Sequence, residues 1–259
     1  MNPLAINTLG DELEKAAVFC RTEKVGIEIT DFAFPDILDS DLGPVIDRHI
    51  KALDGIAPVI SHGPLFDLAT ASRDPRILEV CRLRHWTALE ASHKVGATVF
   101  VAHTQYNPMI NHPTYEGAFV GRTVEFWLPF ADWAGNHGVT ICLENLWEPT
   151  PELQYNIMSE ADHPHLRATF DNGHPLVFSK MTGVEWVERL APYLGHCHLH
   201  DNHGKSDEHL AVGEGIENWP ALMSAYAEYA PEVPLVMESD KLETNTRSLH
   251  KVREVRRSL

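Results

Sequence analysis

The sequence predicts a (β/α)8 barrel, an α/β TIM barrel built as one domain over residues 1–259, and three observations predict it. Eight short apolar runs of strand length are each followed by a helix or a helix-length segment, the alternation that closes a parallel sheet on itself. A length of 259 residues, 44% of them hydrophobic, suits one large domain with a full core. Six successive strands, the third to the eighth, end in a polar side chain able to bind a cation, at the end of such a barrel where active sites form.

The elements follow in order. Leu4 to Thr8 is an apolar run closed by Gly10, after which Asp11 is placed to cap a helix through Arg21 with Leu13, Ala16, Ala17 and Cys20 at helical spacing. Val25 to Thr30 is the second strand; beyond the Pro35 loop, Leu42, Val45, Ile46, Ile50 and Leu53 mark a helix. Pro58 to His62 is the third strand, and Asp74 to Lys94 is a long helix stopped by Gly96. Ala97 to His103 is the fourth strand, followed by a long loop rich in Asn and Pro and a helix from about Thr123 to Asn136. Val139 to Glu144, Arg167 to Asp171, Leu194 to His200 and Pro234 to Glu238 complete the set, with helical segments between them and after the last. No linker, low-complexity segment or close repeat divides the chain.

The densest functional stretch runs from His196 to Gly215. In a strand, His196, His198 and His200 share one face, while Cys197 and Leu199 take the other. Polar side chains buried there cost several kcal/mol unless they are satisfied, and a divalent metal with carboxylate partners satisfies them. Strand three ends in His62, strand four in His103, strand five in Glu144, strand six in Asp171, strand seven in His198 and His200, and strand eight in Glu238. One such residue reads as an ordinary hydrogen-bonded strand end, whereas six in succession point to a shared site. Asp171 with His174, and Asp207 with His209, add two close carboxylate–imidazole pairs. Oxygen and nitrogen donors without thiolate suit Mn²⁺, Co²⁺, Zn²⁺ or Mg²⁺.

Composition removes several function classes. Lys plus Arg number 21 against 37 Asp plus Glu, a formal charge of -16 that repels phosphate backbones and anionic membranes and so disfavours nucleic acid as a partner. Cys20, Cys81, Cys142 and Cys197 are far apart with no CxxC pair, which suggests reduced thiols in a cytoplasm and not a disulfide framework. No basic segment followed by an apolar run opens the chain, and no stretch approaches 18 apolar residues, so neither export nor a membrane span is expected.

The strand-end motifs resemble those of the xylose isomerase-like TIM-barrel superfamily across nearly the whole chain. They are Ser61-His-Gly-Pro64, Ala102-His103, Leu143-Glu-Asn145, Phe170-Asp-Asn-Gly-His174, His198-Leu-His-Asp-Asn202, Asp207 to Gly215 and Val236-Met-Glu-Ser239. In the sugar isomerase and epimerase branch the matching positions imply one divalent metal held by Glu144, Asp171, His198 and Glu238. There the metal stabilises an enediolate while Glu144 and Glu238 act as base and acid on the carbon-bound proton. Related barrels eliminate water from such intermediates, so a dehydratase is a nearby variant, with His174 and His200 placed to polarise substrate oxygens or protonate a leaving hydroxyl.

The endonuclease IV branch also resembles this chain and implies a three-zinc phosphodiesterase site from His62, His103, Glu144, Asp171, His174, His198, Asp207, His209 and Glu238. Against it stand the charge of -16 and the lack of Arg, Lys and wedging aromatics after strands one to three; Phe32, Phe34 and Phe66 stand among Asp31, Asp36 and Asp67. Sugar chemistry is therefore the preferred expectation, with a small-molecule sugar or polyol as substrate. Ketohexose epimerases of the superfamily carry an arginine shortly after the strand-seven histidine. Here His203, Gly204 and Lys205 follow, and a lysine lacks the bidentate fork, which counts against psicose or tagatose and leaves sugar acids, inososes and other keto-polyols open.

The other residues divide as follows. Glu28 either reaches substrate or pairs with a basic neighbour inside the barrel. His112 and Tyr115, in the long loop, either close over a ligand or serve a dimer contact, and a homo-oligomer is open without any stripe to identify its interface. Trp147 is expected to wall the substrate site. Trp86, Trp127, Trp133, Trp186 and Trp219 are expected in packing, and His49, His85, His93, His137, His163, His165 and His250 on the surface or in helices. A non-catalytic barrel that only binds a polyol is the third reading; both carboxylates being present counts against it.

Overall fold

The structure, a computed structural model, describes residues 2–65 and 67–259, so Phe66 lies outside the described residues. Strands β1 (Leu4–Thr8), β2 (Gly26–Ile29), β3 (Val59–His62), β4 (Val99–His103), β5 (Thr140–Glu144), β6 (Leu166–Asp171), β7 (Leu194–Leu199) and β8 (Leu235–Met237) pair in parallel in that order. The sheet closes through Leu4 against Leu235 and Ile6 against Met237. The helices are α1 (Leu13–Glu23), α2 (Pro35–Leu38), α3 (Leu42–Leu53), α4 (Pro75–Lys94), α5 (Tyr115–Asn136), α6 (Glu152–Ala161), α7 (Gly173–Phe178), α8 (Gly183–Leu190), α9 (Trp219–Tyr229) and α10 (Leu242–Ser258).

The period of two along each strand separates two environments. Ile27 and Ile29 of β2, Ile141 and Leu143 of β5, Ala168 and Phe170 of β6, and Cys197 and Leu199 of β7 join the large core between sheet and helices. The alternate positions face the barrel axis. There Ala5, Ile60, Val101 and Val236 make a small apolar plug, and Glu28, His196 and His198 lie near them, wholly buried. The residues that close the strands, His62, His103, Glu144, Asp171 and Glu238, continue the inward register and therefore meet at the mouth.

Local signals set several helix starts. Asp74 caps α4 by accepting from the Arg76 amide at 2.9 Å, Asn218 caps α9 through Ala221, and Thr182 with Glu185 forms a reciprocal capping box on α8. Strand ends differ from the sequence reading by a residue or two, and two helix starts differ in kind. Asp11 sits in a 3-10 turn, Gly10–Glu12, and α1 begins at Leu13 without a side-chain cap. Helix α5 begins at Tyr115, a full two turns before Thr123, because Tyr115 stacks on Tyr106 at 5.4 Å and Phe119 packs on both rings, giving this first part of the helix an aromatic face to bury. Tyr115 is thus a packing residue, while His112 stays exposed and bonds Thr114. Of the helix histidines, His49 and His85 are core residues, His85 resting against Trp127 at 4.7 Å. The four cysteines are free and buried, and among the described residues no helix is long and apolar enough to cross a membrane.

Candidate metal and active site

His198, inward on β7, is the hub. Its Nδ1 lies 3.2 Å from Glu144 Oε1, 3.4 Å from Glu238 Oε2 and 3.8 Å from Asp171 Oδ2. One ligand atom from each of these four residues falls within 4.8 Å of all the others. Four donors around an ion at about 2.1 Å stand roughly 3.4 Å apart, so a small contraction suffices for a tetrahedral site. Both His198 Nδ1 and Glu238 Oε2 are buried without a hydrogen-bond partner. Three carboxylates and one imidazole with two orphaned atoms aimed at a common point fit a divalent cation, and the anticipated quartet is brought together in full.

Two further groups flank the quartet. Glu144 Oε2, the oxygen turned away from His198, lies 3.3 Å from Nε2 of both His62 and His103. On the other side Asp207 Oδ2 stands 3.4 Å from His174 Nε2 and 3.0 Å from His209 Nε2. His200 Nε2 meets Asp171 Oδ2 at 3.0 Å, and its ring stacks on His209 at 3.9 Å. This close packing requires Gly173: a Cβ there would lie 1.9 Å from the His200 ring. His62 and His174 share one habit. The Nδ1 of His62 faces the Gly63 carbonyl at 2.9 Å and that of His174 the Asn145 carbonyl at 2.6 Å. With Nδ1 donating to a carbonyl, each ring directs Nε2 at a carboxylate, a pairing satisfied by a proton on Nε2 or by a cation between the two groups.

The electrostatics separate the two glutamates. Burial works to raise Glu144, but the His198 and His103 imidazoles hold its carboxyl well below the ordinary range. Burial likewise raises Glu238, and there the pull of His198 and His209 does not reverse it, because Glu144 and Asp171 add their repulsion. Asp171 and Asp207 are held low against burial by His174 and His200, and by His174 and His209. Burial opposes the charge on His209, yet Asp207 and Glu238 lift it to about 9. His198 is raised well above the usual imidazole range: burial opposes its charge, and Glu238, Glu28 and Glu144 outweigh it.

These groups open into a cavity of about 320 Å³. Glu144, Glu238, His62, His103, His174, Asp207 and His209 line it, together with Asn7 and Thr30, which the sequence reading did not single out. Asn7 sits inward near the end of β1 and could have been found by extending the strand-end rule to the first strand. The apolar wall consists of Leu9, Phe34, Leu65 and Leu146. Trp147, expected there, is 44% exposed and lies outside the lining. The cause is local: buried Glu148 accepts from the Leu146 amide at 2.6 Å and from the Thr104 hydroxyl, turning the loop so that Leu146 meets the cavity. Lys205 is exposed and also outside the lining. Glu28 resolves as the basic-neighbour reading anticipated, between His196 and His198 inside the barrel.

Comparison with known proteins identifies the fold and its family. The family model of the xylose isomerase-like TIM barrel matches residues 26–255. The chain belongs to this family. An uncharacterised protein of Methanocaldococcus jannaschii, MJ1311, is 26% identical over 203 residues, covering 76% of this chain and 69% of its own. Among solved structures, a D-tagatose 3-epimerase-like protein superposes with a TM-score of 0.81 at 23% identity, over 99% of this chain and 97% of that one. The TTHB071 protein from Thermus thermophilus, soaked with ZnCl2, gives 0.81 at 23% identity over 99% and 98%. At this identity the two structures establish the shared fold.

Proposed function

We propose that this xylose isomerase-like barrel is a metal-dependent isomerase or epimerase that moves a proton on the carbon beside the carbonyl of a small, unphosphorylated keto sugar or keto-polyol. The observation that carries the reading is the convergence of Glu144 and Glu238, from strands β5 and β8, on His198 Nδ1 at the floor of a sugar-sized cavity. A divalent cation held by Glu144, Asp171, His198 and Glu238 would supply electrophilic stabilisation of the negative charge that develops on substrate oxygen.

The chain's own residues do the rest. Glu144 and Glu238 both line the cavity, one to remove the carbon-bound proton and the other to return one. The imidazoles of His62 and His103 steady the far oxygen of Glu144. Asn7, Thr30 and His174 offer hydroxyl partners, while Leu9, Phe34, Leu65 and Leu146 cover the hydrocarbon face and exclude water. Among the described residues no Lys or Arg lines the cavity, which favours a substrate without a phosphate group. The epimerase-like structural neighbour supports the same reaction class.

The test is proton exchange in heavy water with a panel of keto sugars and keto-polyols and added Mn²⁺ or Zn²⁺. One deuterium per turnover at the carbon next to the carbonyl is expected; no exchange with any member would overturn the proposal.

A second reading, a multi-zinc phosphodiesterase, is favoured by the imidazole–carboxylate groups on either side of the quartet, His62 and His103 with Glu144, and His174 and His209 with Asp207. It predicts zinc-dependent hydrolysis of bis(4-nitrophenyl) phosphate, which the sugar reading does not.

A further inference from the structure

Below the site, a second carboxylate reaches His198 from across the barrel. Glu28 on β2 is wholly buried, and its Oε1 lies 3.0 Å from His198 Nε2, with Oε2 at 3.2 Å. Its Oε2 also meets His196 Nε2 at 3.0 Å, and Asn7 Nδ2 approaches Oε1 at 3.4 Å. Strands β2 and β7 are not neighbours in the sheet, so the contact crosses the interior and is not a by-product of strand pairing. A carboxylate so placed costs several kcal/mol unless protons are delivered to it, and His198 Nε2, with Asn7 Nδ2, is the donor at hand.

We propose that Glu28 is a positioning residue that fixes the tautomer and ring orientation of His198, committing its proton to Nε2 and presenting Nδ1 to the cation site. The inference rests on the reading of Glu144, Asp171, His198 and Glu238 as a metal site.

The alternative tautomer is excluded by charge. It would set a bare Nε2 lone pair against the Glu28 carboxylate while placing a proton where the four ligand atoms converge. His196 is arranged consistently. Its Nδ1 lies 3.3 Å from the Thr169 hydroxyl and its Nε2, though near Glu28, makes no hydrogen bond, so His198 is the imidazole that donates to this carboxylate. Elsewhere in the site backbone carbonyls play this part for His62 and His174; at the hub a full negative charge does so, which makes Nδ1 a stronger ligand.

The experiment measures Zn²⁺ affinity of the full-length chain by competition with a chromophoric chelator, for wild type, Glu28→Gln and Glu28→Asp. It adds the ¹⁵N side-chain spectrum of wild type loaded with ¹¹³Cd²⁺. Gln removes the negative charge that His198 Nε2 faces and Asp is one methylene too short, so each variant is expected to bind Zn²⁺ about 10–100-fold more weakly. The cadmium spectrum should show coupling to His198 Nδ1 and a proton on Nε2. Wild-type affinity in Glu28→Asp would overturn the proposal, since it would reduce Glu28 to a distant charge; so would cadmium coupling to Nε2. The wild-type spectrum decides even if a variant does not fold. No readout involves sugar turnover, so failure here and failure of the sugar reading are separate results.

Discussion

At the scale of single residues, the proposed proton transfer falls to Glu144 and Glu238, whose surroundings differ. Glu144 is buried and Glu238 half-buried at the mouth, both outside the packed plug of Ala5, Ile60, Val101 and Val236, so neutral isosteres leave the core intact. Glu144→Gln and Glu238→Gln are each expected to lower carbon-proton exchange by at least about 10²-fold, with a melting temperature close to wild type. Retained exchange in either would contradict the two-carboxylate mechanism. His85 gives a separate prediction. Burial among Phe126, Trp127 and Phe130 lowers it from 6.5 to about 3, so the fold keeps it neutral and the unfolded chain binds its proton first. The stability it contributes is complete above pH 6.5 and is lost as pH falls toward 3, by at most about 1.4 kcal/mol per pH unit. His85→Phe should therefore flatten the decline of melting temperature between about pH 6.5 and 4, measured without added metal.

At the scale of elements, the segment between β7 and α9 positions Asp207 and His209, and Asp201 anchors it. The Asp201 carboxylate accepts from the amides of Asn202, Gly213 and Glu217 and from Trp219 Nε1 at 2.8 Å, and its backbone pairs with Leu210. Gly215 lets the returning chain pass: a Cβ there would lie 2.3 Å from Asn202 O and Asp201 Oδ1. Asp201→Asn is expected to cost on the order of 2–3 kcal/mol in urea unfolding, because an amide nitrogen would face N–H donors. Gly215→Ala should expose the 202–214 segment to limited proteolysis without lowering helix content. Much of this was legible in advance. His198, Asp171, Glu144 and Glu238 declared themselves because each closes an apolar strand, and the barrel turns strand ends into one site. Trp147 did not, because the loop's direction depends on Glu148 and Thr104, a contact between residues 44 apart in the chain. Likewise α5 starts early for an aromatic contact with Tyr106 that helical spacing alone does not contain.

At the scale of the molecule, closure and charge act together. Helix α10 locks the seam of the barrel: Asn245 donates to the carbonyls of Asn7 and Ser239 at 2.9 and 3.0 Å, and Arg253 pairs with Glu23. The net charge of -16 and the carboxylates gathered at the mouth attract a cation, and one bound there should stabilise the whole fold. Zn²⁺ or Mn²⁺ at about 100 times its dissociation constant is expected to add about 2.7 kcal/mol and raise the melting temperature, and chelator should reverse the gain.

The central claim, one catalytic cation at the junction of β5, β6, β7 and β8, is tested most directly by anomalous diffraction from crystals grown with Zn²⁺. The account predicts a dominant peak bounded by Glu144, Asp171, His198 and Glu238. Three peaks of equal height, the others on His62 with His103 and on His174, Asp207 and His209, would contradict it and bring phosphoester hydrolysis forward.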